Sequence, residues 1–243
     1  MTTQGTAAGL VDWRTVERLT ALIPAGPSAS RSARASSVAV LRRSAQEAPA
    51  WVARITGLNR AAQQVAETTR VSVVDRAGLV RASSRALRGL MEQVPAPPAS
   101  EAIQLVGAAE VAGAMSLLAT RLLGQVVPAA PGGTRGHGAG SAGPARPAGE
   151  KDCEGDDVVT PGTGLAREAT TDAGGEGVAP PHLLLVAPNV LAVRRQMDLD
   201  MLDLPAWVCL HEMTHAVQLA AAPWLGPYLS DSMRMVIGAV VEA

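Results

Sequence analysis

The stretch Leu204-Pro205-Ala206-Trp207-Val208-Cys209-Leu210-His211-Glu212-Met213-Thr214-His215-Ala216-Val217-Gln218-Leu219-Ala220-Ala221-Ala222 decides how this chain is read. Pro205 stands in its first turn and Pro223 just past its end, so the pattern predicts a helix over Leu204–Ala222. Into this apolar segment are set two histidines and a glutamate, spaced H-E-x-x-H. Residues four apart on a helix lie one above the other, so His211 and His215 can address a single ion from the same side. Glu212 is rotated about 100° from His211, near enough to act on a water at that ion without binding it. A zinc ion held by two neutral imidazoles and a third ligand acidifies water towards a pKa of ~7. The residue pattern therefore points to metal-assisted hydrolysis, with His211 and His215 as candidate zinc ligands and Glu212 as candidate catalytic base. Against this stands the plainer reading that the three side chains only make hydrogen bonds in a core.

Outward from this helix, the chain reads as mainly α. Asp12 caps a segment through Ile23, in which Trp13, Val16, Leu19, Thr20 and Ile23 share a face. A second helix is expected from Ser30 to Ala48, a third from an Asp75 cap to Val94, and a fourth from Glu101 to Val126. The fourth, rich in Ala and Leu, is expected to be buried on most sides. Leu183 to Val186 is a short apolar run suited to a buried strand, Pro188 opens a short helix to Gln196, and a final apolar segment covers Leu229 to Val241. The aromatics are confined to four Trp and one Tyr, so Ala, Val and Leu must build the core, which suits packed helices better than a sheet-rich sandwich. The tryptophans, Trp207 and Trp224 among them, are expected to be core anchors. The fold class that follows is a helical core with at most a few short strands (α+β).

Between the ordered parts the composition changes. Residues 128–180 hold 13 of the 24 glycines and six prolines with little periodic apolar pattern, which reads as a long disordered insert. It divides the chain into an N-terminal helical part, 1–127, and a metal-helix part, 181–243, of one domain. His137 and Cys153 fall in the insert without paired ligands at short spacing. Cys209, two positions from His211, faces another side of the helix and reads as a small buried hydrophobe.

The formal net charge of −1 and the dispersed arginines speak against nucleic acid. The uncharged run Ala216–Ser230 is broken by Pro223 and Pro227, which speaks against a membrane span. Two cysteines build no disulfide framework, and no secretory leader is evident, so a cytoplasmic protein is the expectation.

The block Trp207 to Gln218 resembles the active-site helix of a family of zincin-like metallopeptidases from high-GC bacteria, often labelled as associated with biosynthesis of a deazaflavin coenzyme. Val11-Asp12-Trp13, Val73-Val74-Asp75-Arg76, Leu122-Leu123-Gly124-Gln125, Leu184-Leu185-Val186-Ala187-Pro188-Asn189 and Pro223-Trp224-Leu225 match as well. The resemblance implies a zincin-like fold, one zinc, His211 and His215 as ligands, Glu212 as general base, and a peptide or protein substrate. It also implies a further acidic and histidine-containing motif beyond the metal helix, so the chain, ending at Ala243, is expected to be C-terminally truncated. For the third ligand, Gln218 and Ala221 exclude the metzincin pattern. His182, Asp231 and Glu242 remain open, each with an ordinary surface or capping role as the alternative. A non-catalytic helical scaffold that kept the motif but lost the rest of the site is the competing reading.

Overall fold

The computed structural model describes residues 5–127 and 181–242. The expected insert, with His137 and Cys153, lies outside the described residues.

Among the described residues, five short strands and eight helices follow in the order β1 (Gly5–Thr6), a 3-10 turn (Ala7–Leu10), α1 (Trp13–Thr20), α2 (Arg31–Thr56), α3 (Asn59–Thr68), β2 (Arg70–Val74), α4 (Arg76–Met91), β3 (Pro95–Ala96), α5 (Glu101–Arg121), β4 (Gly124–Val127), β5 (His182–Val186), α6 (Ala187–Gln196), α7 (Asp203–Ala221) and α8 (Leu225–Glu242). The mainly helical class is as read from the sequence.

The sheet that positions the site has the order β2-β5-β4. β5 runs parallel to β2, with Arg70 opposite His182, and antiparallel to β4, with Gly124 opposite Leu185. Side chains of a strand alternate between faces, and both faces of β5 are covered. Leu183 and Leu185 enter the main core with α2, α3 and α7, while Leu184 and Val186 meet Leu79 of α4. Burial on both sides is why β5 reads as an unbroken apolar run.

Helix α2 supplies the wall behind α7. Its Leu41, Ala45, Ala48 and Val52 are buried in the core that also takes Val208, Cys209, Met213, Ala216 and Val217 of α7. The helix was expected to stop at Ala48, before Pro49, but it runs through the proline to Thr56. Proline removes one backbone donor, and burial of Pro49 and Val52 one turn on offsets that loss. Gly57 then ends the helix in the left-handed conformation, φ 74°, its N–H donating to the Ala53 carbonyl at 2.8 Å.

Other boundaries differ too. Helix α3 and strand β2 were not anticipated, because neither carries a long periodic pattern. The fourth helix ends at Arg121 and not at Val126, since Gly124–Val127 pairs with β5. Asn189 secures that end: it is buried, its Nδ2 donates to the carbonyls of Ala119 (2.8 Å) and Leu122 (2.7 Å), and its Oδ1 accepts from Arg76 Nε at 2.7 Å. Nor is α5 buried on most sides. It packs a stripe of Ala108, Ala112, Met115 and Ala119, while Ile103, Val106 and Leu117 are more than half exposed. By length and composition α5 is the one described helix able to cross a membrane, a test that core helices of soluble proteins also pass. The Asp12 and Asp75 caps are formed, on Arg14 N at 3.0 Å and Gly78 N at 2.6 Å.

Candidate metal centre

On α7 the buried positions fall on the side facing α2, which leaves Trp207, His211, His215 and Gln218 on an exposed stripe. The spacing of four, four and three keeps them on one face. The two imidazole Nε2 atoms approach to 3.3 Å, with the rings nearly perpendicular at 87°. Tetrahedral zinc with Zn–N bonds of about 2.0–2.1 Å separates two nitrogen ligands by roughly 3.3–3.4 Å. The pair is thus spaced as one edge of such a tetrahedron.

Each ring has a neighbour that fixes its attitude. His215 Nδ1 lies 3.2 Å from Gln218 Oε1. With that oxygen accepting, Nδ1 carries the proton and Nε2 keeps its lone pair. His211 stacks on Trp207, centroids 5.4 Å apart and planes 15° from parallel.

Glu212 projects from the same turn towards β4 and is half-buried. A Cβ placed on Gly124 would lie 2.6 Å from Glu212 Cγ and 3.0 Å from Oε1, so the carboxylate occupies room that only glycine leaves. Burial raises the Glu212 carboxyl above its ordinary value, and the neighbouring His211 and His215 pull it back down. Two residues before His211, Cys209 is fully buried, 3.5 Å from the Leu41 carbonyl, its thiol pushed up to about 12 by burial and by Glu212. It is the inert small hydrophobe expected from its position.

A family model described as a zincin-like metallopeptidase matches residues 11–241. The chain belongs to this family. No curated protein and no solved structure matches it.

Within this zincin-like chain the open question from the sequence was the third ligand. His182 sits on β5 with its Nε2 2.8 Å from Ser72 Oγ on β2, and is engaged there. Asp231 pairs with Arg234, three residues along α8, and Glu242 is exposed at the end of the same helix. Helix α8 packs against α4, β3 and the 3-10 turn. Among the described residues no group of three His, Cys, Asp or Glu side chains is gathered for a metal.

Two expectations are corrected. Trp207 and Trp224 are not core anchors: they are 58% and 66% exposed, because the face of α7 that carries Trp207 is turned away from the core and Trp224 stands in the turn between α7 and α8. The histidines likewise lie exposed and not enclosed by the apolar helix. Two contributors were missed. Gln218 was considered as the end of the resembling block and as a failed metzincin glycine but not as a partner of His215, although its spacing of three from that residue was a readable signal. Gly124 had no such signal, since its contact with Glu212 exists only once β4 lies against α7.

Proposed function

We propose that this chain is a zinc-dependent hydrolase of the metallopeptidase type, with His211 and His215 holding the metal and Glu212 acting as general base. The 3.3 Å separation of the two Nε2 atoms, on an exposed face of α7, carries the proposal. When bound, zinc supplies the Lewis acidity that polarises a carbonyl and acidifies water. Glu212, next along the helix and backed by Gly124, is placed to take a proton from that water and return it to the leaving amine. Burial raises the basicity of its carboxylate, which serves that task. Gln218 orients His215, and the Trp207 ring limits how His211 can turn.

The substrate class on this reading is a peptide bond. Strand β4 is an edge of its sheet among the described residues and begins beside Glu212, so its free backbone groups can receive an extended peptide. The setting proposed is the cytoplasm, with a peptide or protein as partner and neither nucleic acid nor membrane involved. The near-zero net charge supports the first exclusion, and Pro223 and Pro227, which break the uncharged run Ala216–Ser230, support the second. The resemblance to proteins labelled for deazaflavin-coenzyme biosynthesis adds no step to this chemistry.

One observation favours the competing scaffold reading: no third ligand joins the pair among the described residues. Elemental mass spectrometry on the dialysed chain, beside His211→Ala, separates the two. About one zinc per chain, absent from the variant, supports the metal centre, and loss of peptide-library cleavage in Glu212→Gln then supports the base. A wild-type chain that retains no zinc would mean that the two histidines alone do not hold it, and the scaffold reading would stand.

A further inference from the structure

Between α1 and α4 lies a second cleft, away from the histidine pair, of about 430 Å³. Helix α4 contributes Arg81, Arg85 and Arg88 to its wall, spaced by four and three and so on one face. Among the described residues, only Arg88 of these three is matched by an acid, donating from Nε to Glu92 at 3.0 Å. Arg81 and Arg85 have no carboxylate within 4 Å and no side-chain hydrogen bond among the described residues, and Glu17 is the one acid that lines the cleft. Ser84 stands on the same wall with its hydroxyl shielded from water and without a hydrogen-bond partner. A helical serine ordinarily bonds the carbonyl four residues back, and an orphaned buried hydroxyl calls for a physical explanation.

The opposite wall is of another kind. Trp13 closes it, its indole held in place by a hydrogen bond from Nε1 to the Ala8 carbonyl at 3.0 Å. Val16 and Val80 provide an apolar floor. The cleft thus has one end with two guanidinium groups that no carboxylate neutralises among the described residues and an unpartnered hydroxyl, and one end where the Trp13 ring, with the Arg88 guanidinium 5.9 Å from its centre, stands beside apolar Val16 and Val80.

We infer that this cleft binds a small organic phosphate monoester, with Arg81, Arg85 and Ser84 on the phosphate and Trp13, Val16 and Val80 on its apolar part. Charge selects phosphate over carboxylate. A phosphate monoester carries about −1.5 to −2 at pH 7 and offers three acceptor oxygens, which matches two free guanidinium groups and one hydroxyl. A carboxylate neutralises only one of them. Guanidinium forks bind phosphate in bidentate fashion, and the volume is in the range of small-molecule sites.

Phenyl phosphate is the probe, titrated into the full chain by calorimetry at fixed low salt, with inorganic phosphate and benzoate in parallel. Saturable binding is expected, with benzoate at least about tenfold weaker because it lacks the second charge. Inorganic phosphate should also bind more weakly, having nothing for the Trp13 end. Arg81→Gln/Arg85→Gln should lose at least about tenfold in affinity with the melting temperature unchanged, as both side chains are exposed. His211→Ala should bind like the parent, since the cleft shares no residue with the metal centre. No saturable binding, unaltered affinity in the double variant, or loss of binding in His211→Ala each overturns the inference. If the double variant melts early, Ser84→Ala decides: a several-fold loss upholds the site, and parental affinity refutes it.

Discussion

A methyl group added at Gly124 would press on Glu212 Cγ at 2.6 Å and Cδ at 2.9 Å, so the whole side chain must turn aside. Gly124→Ala should therefore cost about 1–3 kcal/mol of global stability and displace the proposed base. Zinc content should be retained and peptide cleavage lost; a variant that cleaves normally would show that the position of Glu212 is not set by β4. A second residue tests electrostatics away from the metal. Burial, and then the charge of Arg70, hold His182 below its ordinary 6.5. Above pH 6.5 the imidazole is neutral whether the chain is folded or not, and its contribution is complete. As pH falls below 6.5 the unfolded chain takes up the proton first, and stability is lost until the lower folded value is passed. Urea midpoints should thus drop between pH 7.5 and 5.5 by more in the parent than in His182→Gln. Equal drops in both would place the pH sensitivity elsewhere.

At the scale of elements, the junction of α4, α5 and α6 depends on one buried amide. Asn189 serves two carbonyls at the end of α5 and fixes Arg76 at the start of α4. Its replacement by Ala strands buried carbonyls and a guanidinium, at a cost of about 1–3 kcal/mol or more. Denaturant unfolding of Asn189→Ala should show that loss; a shift under about 0.5 kcal/mol would mean that water takes over the amide's role. The same junction explains why α5 ends earlier than its apolar run suggests. Gly124–Val127 satisfies its backbone groups on β5 once the chain is folded, and sequence periodicity has no access to that pairing. For α2, Pro49 was a sound local stop signal, overruled by the burial of the helix against α7.

For the molecule as a whole, β5 is the central strut. Leu185 is fully buried in the core shared by α2, α3 and α7, so Leu185→Ala should cost about 2–5 kcal/mol through lost contacts and a residual cavity. Because the metal helix lies on that core, its loosening should be felt by the whole unit. Tryptophan fluorescence and far-ultraviolet circular dichroism should then report one coincident transition, shifted to lower denaturant. Separate transitions would mean that the core around α7 and the one around α1, α5 and α8 unfold independently.

What the sequence determined by itself was local. The helical class, the Asp12 and Asp75 caps, the buried run of β5, the inert Cys209 and the shared face of His211 and His215 all follow from spacing along a few turns of chain. Only the tertiary structure decided that Trp207 and Trp224 face outward, that His182 is engaged by Ser72, and that Gly124 backs Glu212. It also brought Arg81, Arg85, Ser84 and Trp13 around one cleft. The reason is physical: periodicity states which residues share a face, whereas the partner of that face is chosen by packing between segments far apart in the chain.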